Sequence, residues 1–488
     1  MFFGLLVGFF VSCSKTDDKT TPAERAAARL PLKPCHLPNV DEVVLCGELP
    51  VPEDPAKPDG RMISLFVVVV PAVNANPELD PWVEWSGGPG NAATDYALSY
   101  TADYRMHRQD RDVLLVDQRG MGRSNGLYCE ELSLHRVSGL FPRWPPEAVT
   151  TCRERLSQQA DLTQYSTARA ADDLEAVRKW LGYPQLNLFS YSYGTRAALT
   201  YMRRYPASVR SSILWGVVPP HFRRPLYYAR DSQQAMDRLL ADCLSDSACA
   251  QAFPRVREEL AETLERLDRT PIPTTIGHPV TKESLPASIT RAGFAEGLWG
   301  ALSEPDRAHS VPMVIHHAAG GDFGPFLKLD VSTAPPRRPY YNGAHLSIVC
   351  PEETQHIATE EVAQLHRDTS VPADRTWDYI KACELWEVPT LPADTLEPVR
   401  ADVPTLIISG YMDPITPPSW GDDAARLLPR SRHVVVRHLS HEQNGLGNAD
   451  CLEQVFAQFV ATPDAQALDI SCTEQMHAPA FVLKPGER

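Results

Sequence analysis

The sequence predicts an α/β fold in which a mainly parallel sheet is interrupted by a long helical insertion. Short apolar runs alternate with helical patterns such as the one at 170–181, an order typical of parallel sheets. The runs stop after Pro219-Pro220 and resume only beyond Val403, and helical, charge-rich sequence such as 236–267 fills the gap. The apolar runs lie at 65–70, 82–85, 113–116, 186–189, 406–408 and 434–436.

We therefore expect one core in two parts, separated by a helical cap. The first part of the core spans 31–222, the cap 223–398 and the second part of the core 399–475. Ahead of them we expect a signal peptide at 1–12 and a tether at 13–30. Because strands on both sides of the cap would share one sheet, residues far apart in sequence can meet at its carboxyl edge.

Composition and charge exclude several classes of protein. Hydrophobic residues make up 43% of the 488 residues and charged residues 22%, which is typical of a globular protein that folds in water. The formal net charge of −15 repels phosphate backbones and anionic membrane surfaces, so we expect no nucleic-acid partner. The 44 prolines exceed the 27 glycines, which favours many ordered turns over a low-complexity linker.

The first eleven residues are apolar and uncharged. They are too short for a membrane-spanning helix of about 20 residues, and they are typical of the apolar region of a secretory signal. Small residues before Cys13 and a polar stretch after it resemble a bacterial lipobox. Two interpretations stay open: lipidation at Cys13, or a plain signal peptide. Both predict an extracytoplasmic protein, secreted or lipid-anchored to the cell envelope.

The cysteines also favour export. The sequence has eleven, and setting Cys13 aside leaves ten that fall into close sequential couples. From this proximity we predict five local disulfides, which are typical of oxidising compartments. No C-x-x-C pair exists, so cysteine spacing does not predict a zinc or thioredoxin-like site. The predicted pairs are Cys35–Cys46, Cys129–Cys152, Cys243–Cys249, Cys350–Cys383 and Cys451–Cys472.

The strongest chemical motif is Ser190-Tyr191-Ser192-Tyr193-Gly194, between a strand ending near 189 and a helix beginning near 195. A sharp turn of this kind lifts its central serine above the sheet, and the helix N-terminus directs backbone N–H groups at a negative oxygen beside it. The usual pattern is G-x-S-x-G, and here Ser190 replaces the first glycine. We predict Ser192 as a nucleophile.

A nucleophilic serine needs a base, and that base needs an orienting acid. Asp413 follows the run at 406–408, and His441 follows the run at 434–436. His438 is the competing base, and we favour His441 because its longer loop gives more reach. The order Ser192, Asp413, His441 is that of α/β-hydrolases, which sets the predicted fold class.

The negative charge that develops on a substrate carbonyl needs fixed hydrogen-bond donors. One predicted donor is the Tyr193 N–H, directly after the nucleophile. The other should come from Ser86-Gly87-Gly88-Pro89-Gly90, whose glycines let the backbone approach a substrate. Pro89 has no N–H to donate, so Gly88 is the first choice and Gly87 the alternative. His441-Glu442 begins an H-E-x-x-H pattern that Gly445 breaks, so no metal is expected.

Four motifs together resemble the proline iminopeptidase and tripeptidyl aminopeptidase family of serine peptidases, over roughly 35–472. Cys451 and Cys472, after the histidine, are similar to its secreted tripeptidyl aminopeptidase branch. Three departures are Ser86 in place of a histidine, Ser190 in place of a glycine, and Trp215 in place of an aspartate. The four motifs are 86–90, 117–124, 192–195 and 413–418.

The resemblance implies an α/β-hydrolase with a helical cap that removes residues from the free amino end of peptides, without metal or cofactor. Acidic residues near the cap of such enzymes hold the substrate's ammonium group, and Glu352 and Glu353 are the candidates here. We expect Asp117 and Arg119 to brace the active-site loops through an internal ion pair.

We thus expect an exported serine hydrolase with a peptide substrate, and most of all an aminopeptidase that works through an acyl-enzyme. Two alternatives remain: an esterase or amidase of small molecules, and a catalytically silent binding module. The length of the released peptide, the residue preferred at the cleaved bond and the oligomeric state are not set by the sequence.

Overall fold

The computed structural model describes residues 20–102, 104–134, 137–278, 280–331, 338–367, 369 and 371–487. The predicted signal peptide, Cys13 and the start of the predicted tether lie outside the described residues. No described helix is both long enough and apolar enough to cross a lipid bilayer.

Eleven strands occur in the described residues, and nine of them form one sheet in the order β1-β2-β3-β5-β4-β6-β7-β10-β11, with β8 and β9 as a separate hairpin. Strands β4, β5, β6, β7, β10 and β11 run parallel, while β1, β2 and β3 are antiparallel to their neighbours. The sheet is therefore mainly parallel, as predicted. The strands are β1 (Lys33–Cys35), β2 (Val44–Pro52), β3 (Met62–Val70), β4 (Glu78–Trp85), β5 (Arg111–Val116), β6 (Leu186–Tyr191), β7 (Val209–Trp215), β8 (Ile272–Gly277), β9 (Ser284–Ile289), β10 (Thr405–Gly410) and β11 (Ser431–Val436).

Helices cover both faces of the sheet and build the cap. Their bounds are α1 (Pro22–Ala27), α2 (Ala97–Thr101), α3 (Pro146–Ser157), α4 (Thr167–Leu181), α5 (Tyr193–Arg204), α6 (Tyr228–Ser245), α7 (Ser247–Ala252), α8 (Val256–Arg269), α9 (Arg291–Leu302), α10 (Pro305–Ala308), α11 (Val311–Ala319), α12 (Gly324–Asp330), α13 (Asn342–Glu352), α14 (Thr359–Leu365), α15 (Asp374–Trp386), α16 (Pro418–Ala425) and α17 (Asp450–Ala461).

The sheet separates two hydrophobic cores. Alternate residues of β5 point to opposite faces, so Leu114 joins one core and Leu115 the other. Leu174 of α4 packs in the first core, and Phe456 of α17 packs in the second. Burial on both faces explains why these strands carry continuous apolar runs.

The insertion between β7 and β10 contains helices α6 to α15, and it also contains the β8–β9 hairpin, which the sequence patterns do not predict. The hairpin strands alternate exposed and partly buried residues and lack a buried run. Leu346 of α13 and Trp386 of α15 enter the same core as the sheet. Part of the predicted cap is therefore continuous with the hydrolase core.

The predicted tether at 13–30 is too long at its carboxyl end. Residues Pro22–Ala27 form α1, which Thr21 caps through a hydrogen bond from the Glu24 N–H. Ala26 and Leu30 are buried in the core beside the sheet. Burial of these apolar side chains holds the segment on the domain, so residues 21–30 belong to the fold.

The structure joins the five cysteine pairs that sequence proximity predicts. Their Cα–Cα distances lie between 5.2 and 5.8 Å, within the range of ordinary disulfides. The sequence separation is smallest for Cys243–Cys249, at 6, and largest for Cys350–Cys383, at 33. All five bridges therefore close local loops. The other three pairs are Cys35–Cys46, Cys129–Cys152 and Cys451–Cys472.

Candidate active site

Ser192 is the single residue between β6 and α5, and its backbone is strained. Its φ of 55° and ψ of −124° are uncommon for a residue with a side chain. The Ser192 N–H donates to the carbonyl oxygen of Trp215 (2.9 Å), and its own carbonyl accepts from Thr195 N (2.9 Å) and Oγ1 (2.6 Å). Strain held by its surroundings in this way is typical of functional turns.

The residues around Ser192 explain how the turn fits against the sheet. A Cβ on Gly194 would lie 1.9 Å from the Trp85 carbonyl oxygen, so only glycine fits there. Ser190, in place of the usual glycine, is fully buried, and its Oγ donates to the carbonyl oxygen of Ile213 (2.8 Å). A satisfied hydrogen bond thus accommodates this departure from the motif.

Asp413 and His441 meet at the carboxyl edge of the sheet, as predicted. His441 Nδ1 lies 2.8 Å from Asp413 Oδ2, and both side chains are buried. Asp413 Oδ1 accepts from the backbone N–H groups of Ile415 (2.7 Å) and Thr416 (2.9 Å). Thr416 Oγ1 donates to Asp413 Oδ2 (2.7 Å) and lies 3.1 Å from His441 Nδ1. The carboxylate is fixed on both oxygens.

Burial and charge act in opposite directions on this pair. Burial alone would raise the pKa of Asp413, but His441 and the hydrogen bonds from Thr416 hold it below its usual value. Burial would likewise lower the pKa of His441, but Asp413 keeps it above the ordinary histidine value. A buried carboxylate that stabilises an imidazolium in this way is what a general base requires.

His441 also lies beside the nucleophile turn. The ring centroids of Tyr191 and His441 are 4.9 Å apart, and Tyr191 Oη lies 3.2 Å from the His441 carbonyl oxygen. A Cβ on Gly216, next to the Trp215 carbonyl that binds Ser192, would lie 3.3 Å from His441 Cε1. Among the described hydrogen bonds, none joins Ser192 Oγ to His441. Such bonds are often long before substrate binds.

The competing base, His438, lies elsewhere. It lines a separate small cavity with Met412 and His309 and makes no described hydrogen bond to Asp413. The geometry therefore favours His441.

The glycine loop after β4 lies against Ser192. A Cβ on Gly87 would lie 3.1 Å from Ser192 Cβ, and Gly88 has a φ of +116°. Gly87 O accepts a hydrogen bond from Asn91 Nδ2 (3.3 Å). Because the C=O and N–H of a trans peptide unit point in opposite directions, the Gly88 N–H points away from the Asn91 side chain. Arg224 Nη1 donates to Gly88 O (2.6 Å) and fixes the next peptide unit.

Tyr193 begins α5, and backbone N–H groups in a first helical turn have no intrahelical acceptor. Its side chain is fully buried, and its Oη lies 3.0 Å from Thr167 Oγ1. These contacts fix the start of the helix. The N–H groups of Gly88 and Tyr193 thus stay the candidate donors to an oxyanion.

The structure contradicts the predicted role of Glu352 and Glu353 in holding a substrate amine. Glu352 accepts from Thr167 N and Oγ1 (both 2.6 Å) and from Arg196 Nε (3.3 Å). Glu353 accepts from Arg224 N (3.0 Å) and faces its Nε at 3.7 Å. Both carboxylates are at least 96% buried, Glu352 being 4% and Glu353 0% exposed. They neutralise buried arginines instead.

Asp117 and Arg119 brace the loops, but not as the expected pair. Asp117 accepts from Thr94 N (3.0 Å) and Arg123 N (2.9 Å), which ties two loops together. Arg119 donates two hydrogen bonds to Asp173 on α4, at 2.6 and 2.7 Å. Each side chain therefore has its own partners.

Two further positioning residues were not identified from the sequence. Thr416 lies three residues after Asp413, a spacing at which a hydroxyl can reach the carboxylate and a backbone N–H can cap it. That spacing is visible in the sequence. Arg224 gives no such signal, because its contact with Gly88 spans 136 residues.

Among the described residues, the one grouping with metal-ligand spacing is Cys129, Glu131 and Cys152. Cys129 and Cys152 form a disulfide, so their sulfurs are not thiolate ligands.

Comparisons with known proteins identify the family of the chain. A profile of the alpha/beta hydrolase fold family matches residues 86–446, a span that begins at the glycine loop and ends beyond His441. Three curated relatives are similar to more than half of this chain, and all three have names that describe peptidases.

Serine protease Hip1 of Mycobacterium tuberculosis (strain ATCC 25618 / H37Rv) is 26% identical over 431 residues, which cover 80% of this chain and 82% of that protein. Tripeptidyl aminopeptidase of Streptomyces coelicolor is 22% identical over 464 residues, covering 89% of this chain and 84% of that protein. Proline iminopeptidase of Aeromonas sobria is 27% identical over 320 residues, covering 64% and 67%. The family resemblance expected from the motifs is confirmed.

Proposed function

The chain belongs to the alpha/beta hydrolase family, and from that membership we propose that it is a serine aminopeptidase acting outside the cytoplasm. The observation that carries the proposal is the buried Asp413–His441 hydrogen bond beside the strained Ser192 turn. The names of two relatives, a tripeptidyl aminopeptidase and a proline iminopeptidase, support the aminopeptidase assignment.

The proposed mechanism begins with Ser192 Oγ attacking the carbonyl carbon of the scissile peptide bond. His441 Nε2 takes the hydroxyl proton, and Asp413 stabilises the imidazolium that forms. The N–H groups of Gly88 and Tyr193 hold the negative oxygen of the tetrahedral intermediate. His441 then gives its proton to the leaving amine, which leaves an acyl-enzyme on Ser192.

Water completes the reaction. It attacks the acyl carbon while His441 takes one of its protons, and the second tetrahedral intermediate collapses to release the acid. The proton returns to Ser192 Oγ, so the chain ends in its starting state. No cofactor takes part in this scheme.

The five disulfides support the proposed location outside the cytoplasm, because reducing compartments rarely maintain such bonds. The proposal covers both a freely secreted protein and one anchored through a lipid on Cys13. Metabolic labelling with a palmitate analogue, compared between the wild type and Cys13→Ala, separates the two forms.

One observation favours a second candidate, an esterase or amidase of small molecules. The two carboxylates expected to receive the substrate's amine, Glu352 and Glu353, are occupied by Arg196 and Arg224. A triad with an oxyanion site can hydrolyse esters as well as amides, because both reactions pass through the same kind of tetrahedral intermediate. The two functions differ in whether the substrate needs a free amine.

Matched peptide substrates with free and acetylated N-termini test the proposal. An aminopeptidase loses at least about tenfold in kcat/KM on acetylation, equivalent to about 1.4 kcal/mol. Equal rates on the two forms would leave the esterase or amidase as the function. Ser192→Ala serves as the inactive variant, and Ser157→Ala, at an exposed position, serves as its control. A fluorophosphonate probe that fails to label Ser192 would point to a silent binding module.

A further inference from the structure

Three backbone carbonyl groups of the glycine loop (86–90) are held by residues of the insertion between β7 and β10. The contacts are Gly88 O with Arg224 Nη1 (2.6 Å), Pro89 O with His345 Nδ1 (2.8 Å) and Gly90 O with Tyr341 N (2.9 Å). The Gly87 carbonyl accepts from Asn91 Nδ2 (3.3 Å), just beyond the loop. Three of these four hydrogen bonds therefore come from the insertion and not from the sheet that carries the loop.

The loop needs such contacts because its glycines cannot anchor it through side chains. Glycine populates a wide range of backbone conformations, and Gly88 and Gly90 have φ values of +116° and +130°. Among the described hydrogen bonds, none is donated by the Gly88 N–H, which leaves that group for a substrate oxygen. Its direction depends on the adjoining planar peptide units, and thus on the contacts that fix their carbonyl groups.

His345 holds Pro89 with a ring that is itself fixed. The residue is buried, with 3% of its surface exposed. A carbonyl oxygen can only accept, so the contact with Pro89 O assigns the proton of the neutral ring to Nδ1, and Tyr340 Oη, 2.7 Å away, shares that proton as an acceptor. Nε2 then accepts from Tyr379 Oη (3.1 Å). The ring also stacks on Trp144, with centroids 5.6 Å apart. These contacts fix both the tautomer and the orientation of the imidazole.

Arg224 holds Gly88 from an equally buried position, with 3% of its surface exposed. Its backbone N–H donates to Glu353 Oε2 (3.0 Å), and its carbonyl accepts from Thr354 Oγ1 (2.8 Å). The Glu353 carboxylate also lies 3.7 Å from Arg224 Nε. Glu353 therefore fixes the arginine that in turn fixes the loop.

A covalent link joins the helices that carry this network. His345 lies on α13 and Tyr379 on α15, and the disulfide Cys350–Cys383 connects the two helices. Cys350 and Tyr379 are also buried in the core beside the sheet. The residues that hold the loop thus belong to a frame that is attached to the domain.

We propose that His345 and Arg224 are positioning residues for the oxyanion site. They hold the peptide groups around the Gly88 N–H, and so they keep that donor directed at the oxygen on which charge develops. Each acts through the loop and does not contact the substrate. The inference rests on the proposed function only because it requires Ser192 to be the nucleophile, and it applies to a peptide or an ester substrate.

Two variants of His345, assayed on one activated ester, test the contact with Pro89. His345→Leu removes the donor and should lower kcat at least tenfold with KM changed less than twofold, because a misdirected oxyanion donor weakens binding of the transition state alone. His345→Asn places an amide NH₂ near the position of Nδ1 and should lower kcat threefold or less. The matched control is His366→Leu, since His366 also contacts a backbone carbonyl (Val362 O, 2.8 Å) and a hydroxyl group (Thr376 Oγ1, 3.5 Å). It should keep the wild-type kcat.

Phenylboronic acid separates positioning from a merely structural role. It forms a tetrahedral adduct with a nucleophilic serine that places an oxygen in the oxyanion site. Its inhibition constant should therefore rise at least tenfold in His345→Leu and threefold or less in His345→Asn. The inhibition constant of the acid product, which forms no adduct, should change less than twofold. End-point labelling of Ser192 by a fluorophosphonate probe counts the folded sites, and every rate is normalised to that count.

Arg224→Lys tests the second contact, and it decides the inference by itself if His345→Leu does not fold. The lysine keeps a positive charge beside Glu353 but lacks the planar fork that reaches Gly88 O. We expect kcat to fall at least tenfold and the boronic acid constant to rise in parallel. Arg266→Lys is the matched control, because Arg266 also donates to a backbone carbonyl of the insertion (Ala319 O, 3.0 Å). It should change neither quantity.

The possible results separate the inference from the proposed function. A smaller fall in kcat in a folded His345→Leu or Arg224→Lys protein would overturn the role of that residue, and so would a fall that His345→Asn shares in full. A loss of kcat with an unchanged boronic acid constant would also overturn the inference, since the oxyanion site would then be intact. A wild-type protein that the probe does not label would refute the serine hydrolase itself, whereas labelled variants that keep their constants would refute the inference alone.

Discussion

Replacing Asp413 by asparagine should leave the fold intact and nearly abolish turnover. Two backbone N–H groups, those of Ile415 and Thr416, point at Asp413 Oδ1. They fix the amide oxygen of an asparagine at that position, so its NH₂ group must occupy the place of Oδ2, 2.8 Å from His441 Nδ1. Because that NH₂ can only donate, Nδ1 must give up its proton, and Nε2 then carries the proton and cannot act as a base.

The expected loss follows from this change of tautomer. Removing the acid of a Ser-His-Asp triad in this way costs about 10⁴ in kcat, or ~5–6 kcal/mol of transition-state stabilisation. Binding is affected much less, because Asp413 is fully buried behind His441 and does not face the substrate. We therefore expect a large fall in kcat with little change in KM.

The pH profile gives a second, independent readout. In the wild type, activity should fall as pH drops through the pKa of His441, which Asp413 keeps above the ordinary value of about 6.5 against the effect of burial. Without the carboxylate, burial dominates and the pKa of His441 falls. The acid limb of the residual activity should then move to lower pH.

Steady-state kinetics on one activated ester, with circular dichroism to check folding, measure both effects. Asp423→Asn, on α16, is the matched control, since it removes an aspartate that pairs with Arg426 and lies outside the catalytic contacts. A folded Asp413→Asn protein that keeps more than a tenth of the wild-type kcat, or an acid limb that moves upward, would refute the reasoning.

Three further changes test other contacts. Gly194→Ala would place a Cβ 1.9 Å from a backbone oxygen and should lower the free energy of unfolding by more than about 3 kcal/mol. Gly300→Ala, which has open space around it, should raise the free energy of unfolding by about 0.5–1 kcal/mol. Chemical denaturation of the two variants measures both changes. Replacing Cys350 and Cys383 together by serine should cost about 4 kcal/mol from the 33-residue separation in the chain-entropy relation, and an unchanged denaturation midpoint would contradict that estimate. Glu352→Gln should destabilise the fold by about 3–5 kcal/mol, since it removes the nearer of the two carboxylates that pair with the buried Arg196; a raised KM for free-amine peptides at unchanged stability would instead restore its role in substrate binding.

The sequence predicts the buried parallel strands well because both of their faces are covered. Val113–Val116 and Leu406–Ile408 are uninterrupted apolar runs for that reason. The search for apolar runs misses strand β7, because this strand carries Arg210, Ser211 and Ser212. Ser211 donates to Asn187 Oδ1 (2.7 Å) and Arg210 to Val460 O (2.6 Å). Polar residues with partners in the tertiary structure do not produce an apolar run.

In the candidate site too, the sequence predicts the residues that belong to local motifs and does not predict contacts between distant parts of the chain. Ser192, Asp413 and His441 are found from local motifs, since each follows a strand that the apolar pattern identifies. The partners of Glu352 and Glu353 lie 156 and 129 residues away in sequence, so no local pattern distinguishes a carboxylate that binds a buried arginine from one that binds a substrate. Two adjacent acidic residues after a cysteine are compatible with binding either a buried arginine or a substrate amine, and only the position of their helix in the fold distinguishes the two roles.

One peptide unit connects the nucleophile to the acid. The carbonyl of Trp215 accepts the Ser192 N–H, and the N–H of Gly216, in the same peptide unit, donates to Ile408 O on β10 (2.9 Å). Strand β10 then leads directly to Asp413, so the register of β7 with β10 fixes the distance between the two halves of the site. None of the five disulfides in the described residues joins the first part of the core to the second. The alignment of the site therefore depends on strand pairing across the insertion, and a register shift of β10 would move Asp413 away from Ser192 without breaking a single covalent link.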